Sequence, residues 1–156
     1  STALCLTRQK VPFLTHNYQE INQAKKGAWI VKNINKPDLI FFASGSEVSL
    51  ALEISKSLEE TSTSKYKKIK VVSVPCWELF FEQDKAWQES ILSNNCKARV
   101  SIEAGSTLGW ERFIGQNGLS IGINTYGKSA NANDLAHDFG FTKEKIYQKI
   151  QNYSFK

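Results

Sequence analysis

Several classes of protein are excluded by the residue types and segments that this chain lacks. Its 156 residues include no methionine, only three cysteines and only two histidines. No apolar run approaches the roughly 20 residues that a membrane-spanning helix needs. A secretory signal peptide is not expected either, because Ser1 is followed by a strand-like run instead of a basic segment and a long apolar core. The missing methionine and the lack of a complete catalytic constellation predict the tail of a larger enzyme.

The cysteines are too few and too far apart for a metal site or a disulfide framework. Cys5, Cys76 and Cys96 are odd in number, and no pair has the spacing of zinc ligands. We therefore expect three separate thiols, with at least Cys5 buried, and no bound metal. The absence of a disulfide framework favours a reducing compartment.

Arginine is scarce although the chain is basic. The net charge is +5, yet only three of the 20 basic residues are arginines. Nucleic-acid readers usually combine arginines with interleaved stacking aromatics, so nucleic acid is not expected as a partner. The densest lysine cluster comprises Lys65, Lys67, Lys68 and Lys70. We interpret it as a solvated loop that leads into a strand.

What the chain does contain is an alternation of strand-like and helix-like segments. The predicted strands are 4–6, 28–31, 39–43, 69–74, 99–102 and 120–123. The first predicted helix begins at Glu47, and the later helices are 84–92, capped by Asp84, and 110–114, 134–139 and 142–150. Residues 77–83 are expected to form a short helical or irregular connection. Strands that alternate with helices predict an α/β fold whose mostly parallel sheet is covered on both faces.

Residues 7–26 read differently from the rest, as a polar loop or linker. The segment is mostly polar, with one proline and a run of asparagine, glutamine and lysine. About twenty such residues are long for a loop inside a compact domain. The segment is better explained as a join between two domains.

The first candidate site is Ser44-Gly45-Ser46, between a strand and a helix. Exposed backbone N–H groups at a helix start can hold a phosphate. The lysine and spacing of a Walker loop and the three-glycine dinucleotide pattern are both missing. A helix start capped by Ser44 or Ser46 is therefore the favoured interpretation.

Other chemistry-bearing residues have no evident partner in the sequence. Glu103 follows a strand and could act as a general base, but a hydrogen-bonded structural carboxylate is the favoured interpretation. His16 and His137 are expected to face solvent or bond locally. The tryptophans are expected to pack in the core or at an interface; they are Trp77, Trp87 and Trp110.

Arg8 stands out because of its position. The apolar run 4–6 precedes it, and the chain then leaves through Pro12. A guanidinium at the mouth of a sheet can bind phosphate oxygens bidentately, each bond contributing about 1.5–3 kcal/mol. The alternative is a surface salt bridge that contributes ~0–1 kcal/mol.

Ten segments of the chain, taken in order, resemble the C-terminal domain of transketolase, in the thiamine-diphosphate enzyme superfamily. They are Leu6–Pro12, Ala43–Val48, Val71–Pro75, Glu78–Phe80 with Glu82-Gln83 just behind, Glu89–Leu92, Val100–Gly105, Gly109-Trp110, Ile121–Ile123, Tyr126–Ala130 and Phe139–Thr142. They are spread over nearly the whole chain, from residue 6 to residue 142. The order makes the resemblance specific, although each segment alone is weak. One departure is Asn131-Ala132-Asn133, which stands where the family usually has a proline.

The resemblance implies a three-layer α/β/α domain with about five strands, mostly parallel with one antiparallel. Full-length transketolase transfers a two-carbon ketol unit from a ketose phosphate to an aldose phosphate in the pentose phosphate pathway. It is a homodimer that uses thiamine diphosphate with Mg²⁺ or Ca²⁺. This chain lacks the family's cofactor-binding residues, so the resemblance implies that it binds no cofactor and is inactive alone.

The resemblance also assigns a role to one residue and a boundary to the chain. Thr7-Arg8-Gln9 matches the family segment whose arginine binds the terminal phosphate of the sugar substrate. Arg8 is thus the expected substrate-phosphate ligand, and no catalytic, cofactor or metal residue is expected. Residues 1–27 are expected to end the pyrimidine-binding domain and form the linker, and 28–156 to form the C-terminal domain. The expected partners are the other domains and a second subunit, in the cytoplasm or a plastid.

Two alternatives remain at the level of the sequence. One is a non-catalytic module of the same fold that binds a nucleotide or regulatory anion at the helix start near Ser46. The other is a subunit of a different thiamine-diphosphate enzyme, such as a ketoacid dehydrogenase or deoxyxylulose-phosphate synthase. The segments Thr7–Gln9 and Tyr126–Ala130 favour transketolase over these enzymes.

Overall fold

A computed structural model describes residues 3, 6, 9–15 and 17–155, without the side chain of Ile21. The predicted strand 4–6, Arg8, His16 and the burial of Cys5 lie outside these residues. The strands are β1 (Trp29–Lys32), β2 (Leu39–Ala43), β3 (Ile69–Ser73), β4 (Arg99–Ile102) and β5 (Leu119–Ile121). The helices are α1 (Tyr18–Gln23), α2 (Glu47–Glu60), α3 (Trp77–Phe81), α4 (Lys85–Leu92), α5 (Glu111–Ile114), α6 (Ala132–Phe139) and α7 (Lys143–Asn152).

The sheet confirms the predicted α/β fold. Its five strands lie in the order β1-β3-β2-β4-β5. The pairs β2–β3, β2–β4 and β4–β5 are parallel, and β1 pairs with β3 in the antiparallel direction. The sheet is therefore mostly parallel with one antiparallel edge strand, as the resemblance implies.

Alternate residues of the central strand β2 supply two separate cores. Leu39, Phe41 and Ala43 pack in one core with residues of α2 and α7. Ile40 and Phe42 pack in the other core with residues of α3, α4 and α5. Because successive side chains of a strand point to opposite faces, a strand buried on both faces must be apolar throughout. This arrangement gives three layers, with helices on both sides of the sheet.

The prediction that residues 7–26 form an irregular linker is wrong for the second half of the segment. Residues 18–23 form α1, and a 3-10 turn covers Ala24–Lys26. The Asn17 side chain accepts a hydrogen bond from the Gln19 amide (2.9 Å) and donates to Glu20 (3.4 Å). Side-chain oxygens that satisfy the free amides of a helix start allow even a polar segment to form a short helix.

The remaining element boundaries agree with the prediction to within two residues. Asp84 caps α4 as predicted, because its carboxylate accepts a hydrogen bond from the Trp87 amide (2.8 Å). Asn131 caps α6 in the same way, through the Asp134 amide (3.0 Å). In residues 17–155 and the short described stretches before them, no helix has the length and apolar character needed to cross a membrane.

Candidate functional site

The strand order marks one edge of the sheet as the place where a ligand is expected. From β2 the chain passes to β3 on one side, and from β3 it crosses to β4 on the other side of β2. Ligands of open α/β folds bind beyond the carboxyl ends of the strands where the strand order reverses in this way. Ser44 follows β2 and Glu103 follows β4, so both residues lie at this position.

Ser44 and Glu103 are brought together across 59 positions of sequence. The Ser44 hydroxyl donates to a Glu103 carboxylate oxygen at 2.5 Å. Burial raises the pKa of Glu103, the Ser44 hydrogen bond opposes that shift, and the nearby Glu47 adds to it. A partly buried carboxyl that a neighbouring hydroxyl holds in place fits the predicted structural role. The hydrogen bonds of the described residues give it neither an imidazole nor a thiol partner for acid–base work.

The prediction that Ser44 or Ser46 caps α2 is wrong. Ser46 occupies the N-cap position with helical backbone angles, and its side chain accepts no hydrogen bond from the helix start. Its hydroxyl instead donates to Glu47 (2.9 Å), while Ser44 bonds Glu103. The positive end of the helix dipole thus faces the Glu47 carboxylate. This negative charge disfavours the alternative of a nucleotide or anion at the helix start.

A cleft of about 660 Å³ adjoins this edge, between the start of α2 and α6. Its polar lining includes two carboxylates of α2, Glu47 and Glu53, and one lysine, Lys128. Gln9, the last residue of the Thr7–Gln9 segment, also lines it. The structure therefore places the residue after Arg8 at the carboxyl edge of the sheet, while Arg8 itself lies outside the described residues.

The other predicted candidates have structural positions. His137 is exposed on α6, as expected. Trp110 is buried, and its ring centre lies 5.0 Å from that of Trp77. Trp77 and Trp87 pack against the core on the α3–α5 side of the sheet. The tryptophans are thus packing residues, as predicted.

Lys70 is the residue that the sequence interpretation placed wrongly. It lies in β3 and is only 2% exposed, instead of belonging to a solvated loop. Its ammonium donates to the carbonyls of Ser90 (2.6 Å) and Ile91 (3.0 Å) and to the Ser93 hydroxyl (2.9 Å). These acceptors lie at the end of α4, where the helix dipole favours a cation. The sequence signal that could have predicted the burial of Lys70 is its position inside an apolar strand.

Arg99 joins Lys70 at the same end of the sheet. Its guanidinium donates to the carbonyls of Cys96 (2.9 Å) and Phe113 (3.2 Å). Both cations therefore tie the end of α4 and the following loop to the sheet. Burial lowers the pKa of Lys70 to about 8 and raises the pKa of the neighbouring Cys96 thiol. This cluster lies at the amino edge, opposite Ser44 and Glu103, and it has a structural role.

A family model described as the transketolase-like TK C-terminal domain matches residues 27–142. The chain belongs to this family. Chloroplastic transketolase of Solanum tuberosum is 42% identical over 154 residues, which are 97% of this chain and 20% of that protein. A Staphylococcus epidermidis transketolase is 39% identical over 153 residues, 97% of this chain and 22% of that protein.

A solved transketolase structure shows the same fold. A mutant of the Pichia stipitis enzyme in complex with xylulose 5-phosphate is 32% identical, with a TM-score of 0.74, over 83% of this chain and 18% of that chain. The chain thus spans about a fifth of the length of the transketolases that it matches. It corresponds to their C-terminal domain.

The transketolase family implies thiamine diphosphate and a divalent cation, and the described residues do not fit either group. Within the part of the chain that the structure describes, no three His, Cys, Asp or Glu side chains are grouped so that they could hold a metal. The helix start at Ser46 faces a carboxylate, which opposes a diphosphate. No step of thiamine chemistry is therefore assigned to these residues.

Proposed function

We propose that the chain serves as the C-terminal domain of a transketolase whose other domains carry out the ketol transfer. The observation that carries this proposal is the family match over residues 27–142, together with 42% identity to a complete transketolase. The full-length enzyme that contains this chain would transfer a two-carbon unit between sugar phosphates, with thiamine diphosphate and Mg²⁺ or Ca²⁺ bound by its other domains. It would work as a homodimer in the pentose phosphate pathway.

The proposed contribution of this chain to substrate binding is Arg8. It belongs to the segment Thr7–Gln9, and Gln9 lines the cleft at the carboxyl edge of the sheet. Residues 1–27 would then be the end of the pyrimidine-binding domain and the linker, and 28–156 the C-terminal domain. Gly27 supports this boundary, because it ends the 3-10 turn in a left-handed conformation (φ 84°) just before β1.

The compartment belongs to the same proposal. The relatives include an enzyme named as chloroplastic and a bacterial enzyme. Cys76 and Cys96, the cysteines whose positions are described, are free thiols, which is consistent with a reducing compartment. We therefore place the protein in the cytosol or in a plastid.

Arg8→Ala tests the phosphate role in a complete enzyme. The test protein is a chimaera in which this chain replaces the matching C-terminal fifth of the Solanum tuberosum transketolase. Loss of a charge-assisted bond worth about 1.5–3 kcal/mol should reduce kcat/KM for xylulose 5-phosphate roughly ten- to hundredfold. Unphosphorylated xylulose should be affected much less, because it offers no phosphate to bind.

Lys10→Ala is the matched control, since Lys10 is an exposed cation two residues away. It should leave both substrates nearly unchanged. Equal losses for the phosphorylated and unphosphorylated sugars in Arg8→Ala would contradict the phosphate role. An inactive parent chimaera would contradict the proposed function itself.

A further inference from the structure

Two apolar side chains at the carboxyl edge of the sheet face solvent almost completely. Leu108 is 82% exposed and Tyr126 is 98% exposed. They follow β4 and β5, two strands that pair in parallel, so their loops leave the same edge of the sheet. Exposed apolar residues on neighbouring loops of one edge mark an interaction surface more often than isolated ones do.

Hydrogen bonds join the two loops to each other, so the backbone that carries Leu108 and Tyr126 is well ordered. The Ile123 amide donates to the Gly105 carbonyl (2.7 Å), and the Asn124 side chain accepts from both the amide and the hydroxyl of Thr107 (3.0 and 3.1 Å). A Cβ on Gly122 would clash with Thr107. A surface that is already ordered loses little conformational entropy when it binds.

The charge pattern separates this edge from the opposite one. Residues 104–110 and 122–127 contain no charged side chain. The loops at the amino edge carry exposed lysines instead, among them Lys36, Lys67 and Lys97. The centre of a protein interface is depleted of charge and enriched in aromatic residues such as tyrosine. The lysine-bearing loops of the amino edge therefore suit solvent, and the uncharged loops 104–110 and 122–127 suit a protein partner.

The position of the N-terminal segment indicates which partner. Gln9 lines the cleft at the carboxyl edge, so sequence that precedes this segment would reach the domain on that side. The relatives are about five times as long as this chain, and the chain matches their C-terminal domain. The bulk of such an enzyme would thus lie on the side of Leu108 and Tyr126.

We propose that Leu108 and Tyr126, on the loops 104–110 and 122–127, form the surface on which the preceding domains of the transketolase pack. This inference rests on the proposed function. The partner is the apolar surface of those domains, and not a nucleic acid, a small anion or a membrane. The Ser44–Glu103 pair lies beside this surface and stiffens the edge where β2 and β4 end.

Hydroxyl-radical footprinting tests the proposal without relying on activity. The 156-residue chain alone and the chimaera described above are oxidised in parallel, and labelling is measured at each residue. Leu108 and Tyr126 should be labelled in the chain alone and lose most of that labelling in the chimaera. Ile34 is 39% exposed in the loop between β1 and β2, at the amino edge, and should be labelled in both.

Equal labelling of Leu108 and Tyr126 in both proteins would overturn the inference. The double variant Leu108→Glu/Tyr126→Glu in the chimaera gives a second test, with Ile34→Glu as its control. The double variant should shorten the half-life of activity on warming, and the control should not. If the unmodified chimaera is active while both variants behave alike and labelling is unchanged, the surface is wrong and the proposed function stands.

Discussion

Gly27→Ala should lower the free energy of unfolding of this chain by about 3–5 kcal/mol, the largest loss expected from a change of one methyl group. Gly27 has a φ of 84°, a conformation that L-residues rarely adopt. A Cβ at this position would also collide with two backbone atoms, the Phe80 nitrogen and the Cys76 carbonyl oxygen. Neither atom can move without displacing α3, so the strain cannot be relieved by a change of rotamer.

Gly45→Ala is the matched control for this prediction. Gly45 also has a positive φ, 52°, but a Cβ there would meet no atom within 4 Å. Alanine at this position should lower the free energy of unfolding by only about 1–2 kcal/mol, the cost of the left-handed backbone conformation for an L-residue. Urea unfolding of the two variants and the wild type gives both values. Similar losses for the two glycines would show that the chain does not pass against α3 as described.

Lys70 should give the chain a stability that rises with pH between about 8 and 10.4. Burial lowers the pKa of Lys70 to about 8 in the folded protein, with Arg99 contributing, while an unfolded lysine has a pKa of about 10.4. Between these values the unfolded chain binds more protons at this position than the folded chain does. The free energy of unfolding therefore rises with pH between these two values. Below about 8 and above about 10.4, Lys70 causes no further change of the free energy of unfolding with pH.

The prediction is measured as the difference between the wild type and Lys70→Met. The subtraction is needed because the raised pKa of Cys96 makes the stability fall as the pH rises past the usual range of a thiol. Lys68→Met, at an exposed neighbour, should follow the wild type at every pH. At pH 7 Lys70→Met should also lower the free energy of unfolding by about 1–3 kcal/mol, because two carbonyls and a hydroxyl lose their hydrogen-bond donor. A flat difference between pH 8 and 10.4 would contradict the buried position of the ammonium.

The sequence was sufficient for the fold where the signal is local. The run Leu39–Ala43 predicts a strand buried on both faces, and the structure gives its alternate residues to two cores. Asp84 predicts a helix cap because its partner, the Trp87 amide, lies three residues away. The pattern Asn17-x-x-Glu20 was an equally local signal for α1, but the polar composition around it concealed the helix.

Interactions between distant segments could not be predicted in the same way. The hydroxyl of Ser44 bonds Glu103, 59 residues later, and therefore leaves the helix start that its position suggested. Lys70 finds its acceptors at the end of α4, 20 or more residues away. The exposure of Leu108 and Tyr126 is also a product of the tertiary structure, since an apolar residue in a loop can equally well be buried.

The central proposal is that this chain serves a transketolase as its C-terminal domain, with Arg8 as a phosphate ligand and the cofactor chemistry in the other domains. The most direct measurement is turnover of xylulose 5-phosphate with an aldose phosphate acceptor, thiamine diphosphate and Mg²⁺ present. It is made on the 156-residue chain alone and on the chimaera. We expect turnover by the chimaera and none by the chain alone. Turnover by the chain alone, or none by the chimaera, would contradict the account.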